Sequence, residues 1–415
     1  MSGHARRRDA GLALPVTLLV LLLIGALALA LATLAGLEPA VARNLADATR
    51  ARLLAEAGLE RARGALVATT RWTDLLGPED ETLLLAATPM PGRDAREGTH
   101  TVRIRNDWRA ADTMLTGQAP DAGGRERDTN DHLLVAATGS ANRARRTVLA
   151  VARRLSLPTA PAAVAVTGVV PGLRFTGEGP DVDGHDHAAD GSPGACPPAW
   201  AVAVADAAGE TGVESAVPPA LFPRLRGRPQ DDAVAGEGPN TIAPEPALDA
   251  SAVAGFIESV RSRADVIVDA RDAPLATRVG TGCELDPPGD GCWGTAGRPR
   301  VVHVTGPSSD PGVVVEIAGP AEGHGVLVVE HAVARITGDF RWRGLIVVTG
   351  PGAGLELTGE GAQTVLGGVV IDRTGAGPGL VAGGARLLRS CETLEQAARA
   401  RRLVTLSGWH EVPLY

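Results

Sequence analysis

Hydrophobic and polar positions fall into three rhythms along the chain. From Leu12 to Leu37 there are 26 residues without a charge, preceded by Arg6, Arg7 and Arg8. As an α-helix this run is about 39 Å long, enough to cross a hydrocarbon layer of about 30 Å. Beyond it, Val41, Leu45, Ala48, Arg52, Ala55, Leu59, Ala62 and Leu66 recur at spacings of four and three with only Arg52 polar, the period of one helical face. A single helix is therefore predicted from the apolar run to about residue 66, bent near Gly36 and Pro39. The arginine cluster predicts a cytoplasmic N-terminus and export of everything after Glu38. A cleaved secretory signal is the alternative, because an A-x-A pattern lies within Ala26 to Ala32.

The second rhythm is alternation. Thr99 to Arg105 and Arg146 to Arg153 alternate apolar and polar residues, and Leu133 to Ala137 is more continuously apolar. These runs predict a small α/β head over 67–157, an antiparallel sheet resting on the upper part of the helix.

The third rhythm is short aliphatic runs bounded by glycine: Val326 to Val329, Ala334 to Ile336, Leu345 to Val348, Leu355 to Leu357 and Val369 to Ile371. Gly325, Gly344 and Gly368 open three of them, 19 and 24 residues apart. The segments VTGVVPGLRFTGEG at 166–179 and VTGPGAGLELTGEG at 348–361 match at nine of fourteen positions. Strand-turn-strand coils with glycine at the corners produce such spacing, so a β-solenoid over 158–390 is preferred to a hairpin-built β-sandwich. The Pro/Gly/Asp-rich stretch 180–300 is read as an interruption carrying one helix, Ser251 to Ala264, capped by Ser251. A last helix, Glu392 to Arg402, and a strand, Leu403 to Leu406, close the chain within 391–415. The predicted fold class is α+β: a membrane helix, a small head and a large β-rich body.

Composition narrows the chemistry. All 40 basic residues are arginine, which removes Schiff-base and P-loop lysines. A net charge of −8 and 3% aromatic residues argue against nucleic-acid binding, which needs a basic groove with ring platforms. Residues 1–65 carry +3, leaving −11 on the other 350, so anchor and body face different surroundings. No G-x-S-x-G elbow, H-E-x-x-H helix or Walker loop occurs.

The basic leader, Gly11, the apolar run beginning Leu-Ala-Leu-Pro-Val, and LLAEAGLERARGAL at 53–66 together resemble the start of PilX-type minor pilins and type II secretion pseudopilins. The resemblance covers residues 5–66 and implies a basic leader, 1–11, removed by prepilin peptidase between Gly11 and Leu12. It also implies partners: other pilins or pseudopilins through the helix, tip proteins or a surface ligand, and the inner membrane before assembly. The fifth mature position, glutamate in most of that family, is Val16 here. That departure suits a tip or priming subunit rather than the middle of a fibre.

Two constellations deserve a chemical reading. EGPDVDGHDHAADG at 178–191 gathers Glu178, Asp181, Asp183, His185, Asp186, His187 and Asp190. Asp181, Asp183 and Asp186 are candidate calcium ligands, set against the simpler reading of an acidic loop without metal, and no cofactor is expected. Cys283 and Cys292 flank the turn ELDPPGDG and are expected to pair, which by elimination joins Cys196 to Cys391 in an oxidising compartment.

The expected function is that of a non-enzymatic subunit of a type IV pilus-like fibre, with its body in the periplasm and then at the cell surface. The alternatives are an exported, membrane-anchored β-helix carbohydrate-active enzyme and a free-standing surface adhesin. For the enzyme, only Glu316 and Asp372 lie within apparent strands as possible paired acids.

Overall fold

The computed structural model describes residues 13–412 other than 168–172, 178, 229–240, 247, 249, 273–274, 277–278, 373–374 and 376. Helix α1 (Ala13–Ala68) is continuous through Gly36 and Pro39, and at 1.5 Å per residue its length is about 84 Å. Its two halves differ in surroundings. Every large apolar side chain described between Leu14 and Leu45 is exposed. From Ala51 onward one stripe is buried: Ala51, Leu54, Ala55, Gly58, Leu59, Ala62 and Leu66. Of the predicted stripe, Ala55, Leu59, Ala62 and Leu66 are buried, whereas Val41, Leu45 and Arg52 are exposed. The protein's own packing begins ten residues later, on a face that leaves Arg52 in solvent.

That stripe rests on an antiparallel sheet. Strands β1 (Thr82–Thr88), β2 (Thr99–Asn106), β3 (His132–Ala141) and β4 (Ala144–Arg154) pair in chain order, with the one-turn helix α2 (Thr113–Thr116) between β2 and β3. Val102, Ile104, Leu133, Val135, Ala137, Val148 and Ala150 face α1. A Cβ at Gly139 would lie 1.9 Å from the Ala51 carbonyl oxygen, so glycine there lets the strand backbone touch the helix. Arg154 closes the helix end: its guanidinium donates to the carbonyls of Leu66 (3.0 Å), Thr69 (2.6 Å) and Thr70 (2.5 Å) and stacks on Trp72. The Leu66 carbonyl is one that a helix C-terminus leaves without an intrahelical partner, and those of Thr69 and Thr70 belong to the turn that follows.

The body follows as β5 (Ala162–Val166), β6 (Leu173–Phe175), β7 (Asp181–Asp183), β8 (Trp200–Val204), helix α3 (Ala207–Ala216), β9 (Leu225–Arg226) and β10 (Ile242–Pro244). Helix α4 (Ala250–Arg261), β11 (Val266–Asp269), β12 (Leu275–Ala276), β13 (Arg300–Thr305), β14 (Val313–Ala318), β15 (Ala321–Glu330) and β16 (Ala332–Thr337) come next. Then come β17 (Phe340–Thr349), β18 (Gly354–Leu357), β19 (Gln363–Asp372), β20 (Gly379–Ala382), β21 (Arg386–Arg389) and helix α5 (Cys391–Ala397). Every pairing among β5 to β21 is parallel, which rules out a hairpin-built sandwich.

Glycine divides the long strands into two arms. Gly325, Gly344 and Gly367 stack in register at positive φ, 128°, 126° and 145°. The third stacked glycine is Gly367, one residue before the predicted Gly368. In β19, Thr364–Gly367 pairs with β21 while Val369–Ile371 pairs with β5. The first arms therefore form one wall with β21, β7 and β9, and the second arms form another with β11, β13, β5, β8 and β10. The strands β12, β14, β16, β18, β20 and β6 make the third wall. Val365 and Leu387, Ile346 and Val348, Leu355 and Leu357 meet between the walls in one buried core. The second wall is covered outside as well: Val301, Val326, Val328, Leu345, Val347 and Val370 pack against Val253, Phe256, Ile257 and Val260 of α4 and Ala397 of α5. Burial on both faces explains the unbroken aliphatic runs.

The stretch 180–300 is not an interruption. It supplies β7 to β12 to the same ladders, and β5, β8 and β10 stack in turn on β19 although they precede it in the chain. Strands of two to five residues between prolines and glycines leave too little period to read. Ser251 is the second residue of α4, which begins at Ala250. The last strand, β22 (Val404–Val412), belongs to the head, pairing antiparallel with β4, so the C-terminus closes the sheet that the segment 67–157 was expected to complete alone.

Candidate functional site

Two regions carry the sequence-predicted residues. The first is the free half of α1. Val16 lies in it, 56% exposed, while Gly11 and Leu12 lie outside the described residues. Each large aliphatic side chain there would gain about 1.5–3 kcal/mol on leaving water, so the segment requires a lipid or protein surround. The same helix, one turn past Arg50, is locked to the head. Arg63 donates to the carbonyl of Val404 (3.1 Å), and Arg399 from the end of α5 donates to the Thr70 hydroxyl (2.7 Å). Body, head and helix are thereby tied together at the helix C-terminus, and the apolar half projects from it.

The second region is the acidic loop. Asp181 and Asp183 project to the same side of β7, two residues apart, with Val182 buried between them. Arg226 on β9 reaches both, at 2.7 and 2.9 Å from the Asp181 carboxylate oxygens and 3.1 Å from Asp183. The other Asp183 oxygen accepts from the His185 backbone N–H at 2.9 Å, with the His185 ring Nδ1 at 2.7 Å. Asp186 lies apart from them: its carboxylate accepts the backbone N–H groups of Cys196 and Cys391, both at 2.9 Å. Those cysteines are bonded to each other across 195 residues, and Cys283 is bonded to Cys292. The candidate calcium ligands are therefore divided between an arginine and a disulfide, and the oxygens a cation would need are already taken by protein donors. Asp186, Cys196 and Cys391 come close enough to be considered as a metal set, but sulfurs joined in a disulfide do not offer thiolates.

Glu316 and Asp372 stand on different walls. Glu316 lies 3.8 Å from Arg335, whereas Asp372 is buried and accepts from Thr167 (2.5 Å) and Thr349 (3.2 Å). A charged cluster that no motif announced lies under α4. Glu330 is buried and accepts from Arg261 at 2.5 Å, with the His303 ring Nε2 at 3.0 Å. Burial would raise the Glu330 carboxyl, but these two partners outweigh it and hold it at about 2. The cluster fastens α4 to the sheet; its members lie 27 and 69 residues apart, beyond any local pattern.

No family model matches the sequence, and no curated protein does. A solved structure, the competence-associated pilin ComZ from Thermus thermophilus, is similar at 12% identity over 88% of this chain and 98% of that chain, with a TM-score of 0.22. That score is too low to establish a shared fold.

Proposed function

We propose that the chain is a non-enzymatic, pilin-like subunit, a minor pilin or pseudopilin of a type IV pilus-like fibre. One observation supports this above all: a single helix whose lower half carries an exposed, uncharged apolar run up to Leu37 continues without a break into a half packed on an antiparallel sheet. Such a helix serves two states, anchored in the inner membrane before assembly and packed among neighbouring helices afterwards. The β-rich body, read as a β-solenoid, is carried outward on the head and presented to tip proteins or a surface. Valine at position 16 places no carboxylate in the apolar run, which supports a tip or priming role.

The test is co-expression with a prepilin peptidase, followed by N-terminal sequencing of the membrane fraction. A mature chain beginning at Leu12 is expected. An intact leader, or a start at Thr33 or Ala35, would overturn the proposal. Immunogold labelling of sheared fibres should mark ends rather than lengths, and uniform decoration would refute the tip role.

A further inference from the structure

The first-arm wall of the body carries an open groove. Across its strands Glu322 lies beside Arg341, Arg341 beside Thr364, and Thr364 beside Arg386, in register. Three adjoining cavities of about 210, 400 and 160 Å³ lie along it, the first two sharing Glu322 and the last two sharing Arg341 and Thr364. Cross-linked loops wall it. Residues 279–281 and 294–296 adjoin the Cys283–Cys292 bridge, and residues 189–191 belong to the loop held by Cys196–Cys391.

The arginines in the groove are not alike. Arg343 is paired with Glu322 and donates to the Ala189 carbonyl. Arg341 and Arg386 are exposed, and among the described residues neither makes an ion pair or hydrogen bond. They stand two strands apart, about 10 Å, with the Thr364 hydroxyl between them. Two unpaired guanidinium groups held at a fixed interval on a rigid parallel sheet are suited to two separate carboxylates.

The rest of the lining narrows the ligand. Glu322, Asp339 and Asp190 also border the groove, where their carboxylates would accept hydrogen bonds from sugar hydroxyl groups. Phe340, Trp342 and Trp293 are turned into the core, so none of these rings is offered for base stacking. We propose that this groove binds an extended acidic polysaccharide, with Arg341 and Arg386 each taking the carboxylate of a different sugar and Thr364 taking a hydroxyl between them. The inference goes beyond the fibre-subunit reading and stands whether or not the chain enters a fibre.

The test is isothermal titration of the detergent-solubilised full chain with polygalacturonate oligomers, neutral dextran and a single-stranded oligothymidine. Polygalacturonate should bind, more weakly as salt rises, and dextran should not. Arg341→Ala with Arg386→Ala should weaken binding by about tenfold or more, and Arg341→Gln or Arg386→Gln alone by less. Arg174→Ala, at an exposed position on β6 of another wall, should change nothing. Unfolding temperatures matched to the wild type would show that the variants are folded. Absence of polygalacturonate binding, equal affinity in the double variant, or tighter binding of oligothymidine would overturn the proposal.

Discussion

Replacing Gly344 by alanine probes the stacked corner on which the body depends. The residue sits at φ 126°, and a Cβ there would lie 2.1 Å from the Gly325 carbonyl oxygen and 3.0 Å from the Ala397 Cβ. Neither neighbour can retreat easily. The carbonyl belongs to a glycine held at the same corner one rung away, and Ala397 is fully buried. The unfavourable backbone region costs about 1–3 kcal/mol, and displacing a ladder carbonyl by an ångström weakens a hydrogen bond worth about 1 kcal/mol. With some overpacking against α5, the total is about 3–5 kcal/mol. For a body of this size that corresponds to a fall of roughly 10 °C in Tm, since each kcal/mol shifts Tm by about 2–4 °C. Gly255→Ala is the paired control: it lies inside α4 with open space around its Cβ position and should raise stability by about 0.5–1 kcal/mol. The assay is thermal unfolding of the detergent-solubilised chain, followed by circular dichroism. A Gly344→Ala protein as stable as the wild type would refute the stacked-corner account.

Serine at both Cys196 and Cys391 opens a loop of 195 residues and should cost about 5 kcal/mol by the chain-entropy argument, read as a lowered Tm that reducing agent does not lower further at that bond. His324 is almost fully buried, and burial, with Arg343 adding to it, lowers its ring to about 4. The unfolded ring protonates first, so its contribution is complete above about pH 6.5 and is lost as pH falls toward 4; His324→Gln should flatten the Tm–pH profile across that window. Glu330→Gln removes a carboxylate held at about 2, with loss of stability above pH 4.5 that narrows as acid protonates the wild-type group; an unchanged urea midpoint at pH 7 would refute the clamp. Calcium at millimolar concentration should leave Tm unshifted, and a rise would mean that the ion displaces Arg226 from Asp181 and Asp183.

The long apolar helix was legible because its signal is local: an uncharged run long enough for a bilayer is visible without knowing anything it touches. The aliphatic runs between glycines were legible for a similar reason, since burial on both faces leaves no polar alternation. The helical stripe was legible at Ala55, Leu59, Ala62 and Leu66 but was extended too far toward the N-terminus, because periodicity records which residues share a face, not where along it a sheet begins to cover it. Gly367 was missed by one residue because two adjacent glycines, Gly367 and Gly368, satisfy the pattern equally, and only the neighbouring strands select between them. In the acidic loop the carboxylates were visible but their partner was not: Arg226 lies 45 residues from Asp181, on a two-residue strand with no pattern of its own.

By itself the sequence determined the kinds of element in this protein: one long apolar helix, alternating strands near it, and glycine-cornered aliphatic strands beyond. The tertiary structure decided which of these meet. It placed β5 on β19, returned β22 to the head beside β4, and brought Arg341, Thr364 and Arg386 into one row. The physical reason is that an element's type follows from interactions within a few residues of chain. Partner choice between sheet edges is nearly indifferent to sequence distance, because the entropy of closing a loop grows only with the logarithm of its length.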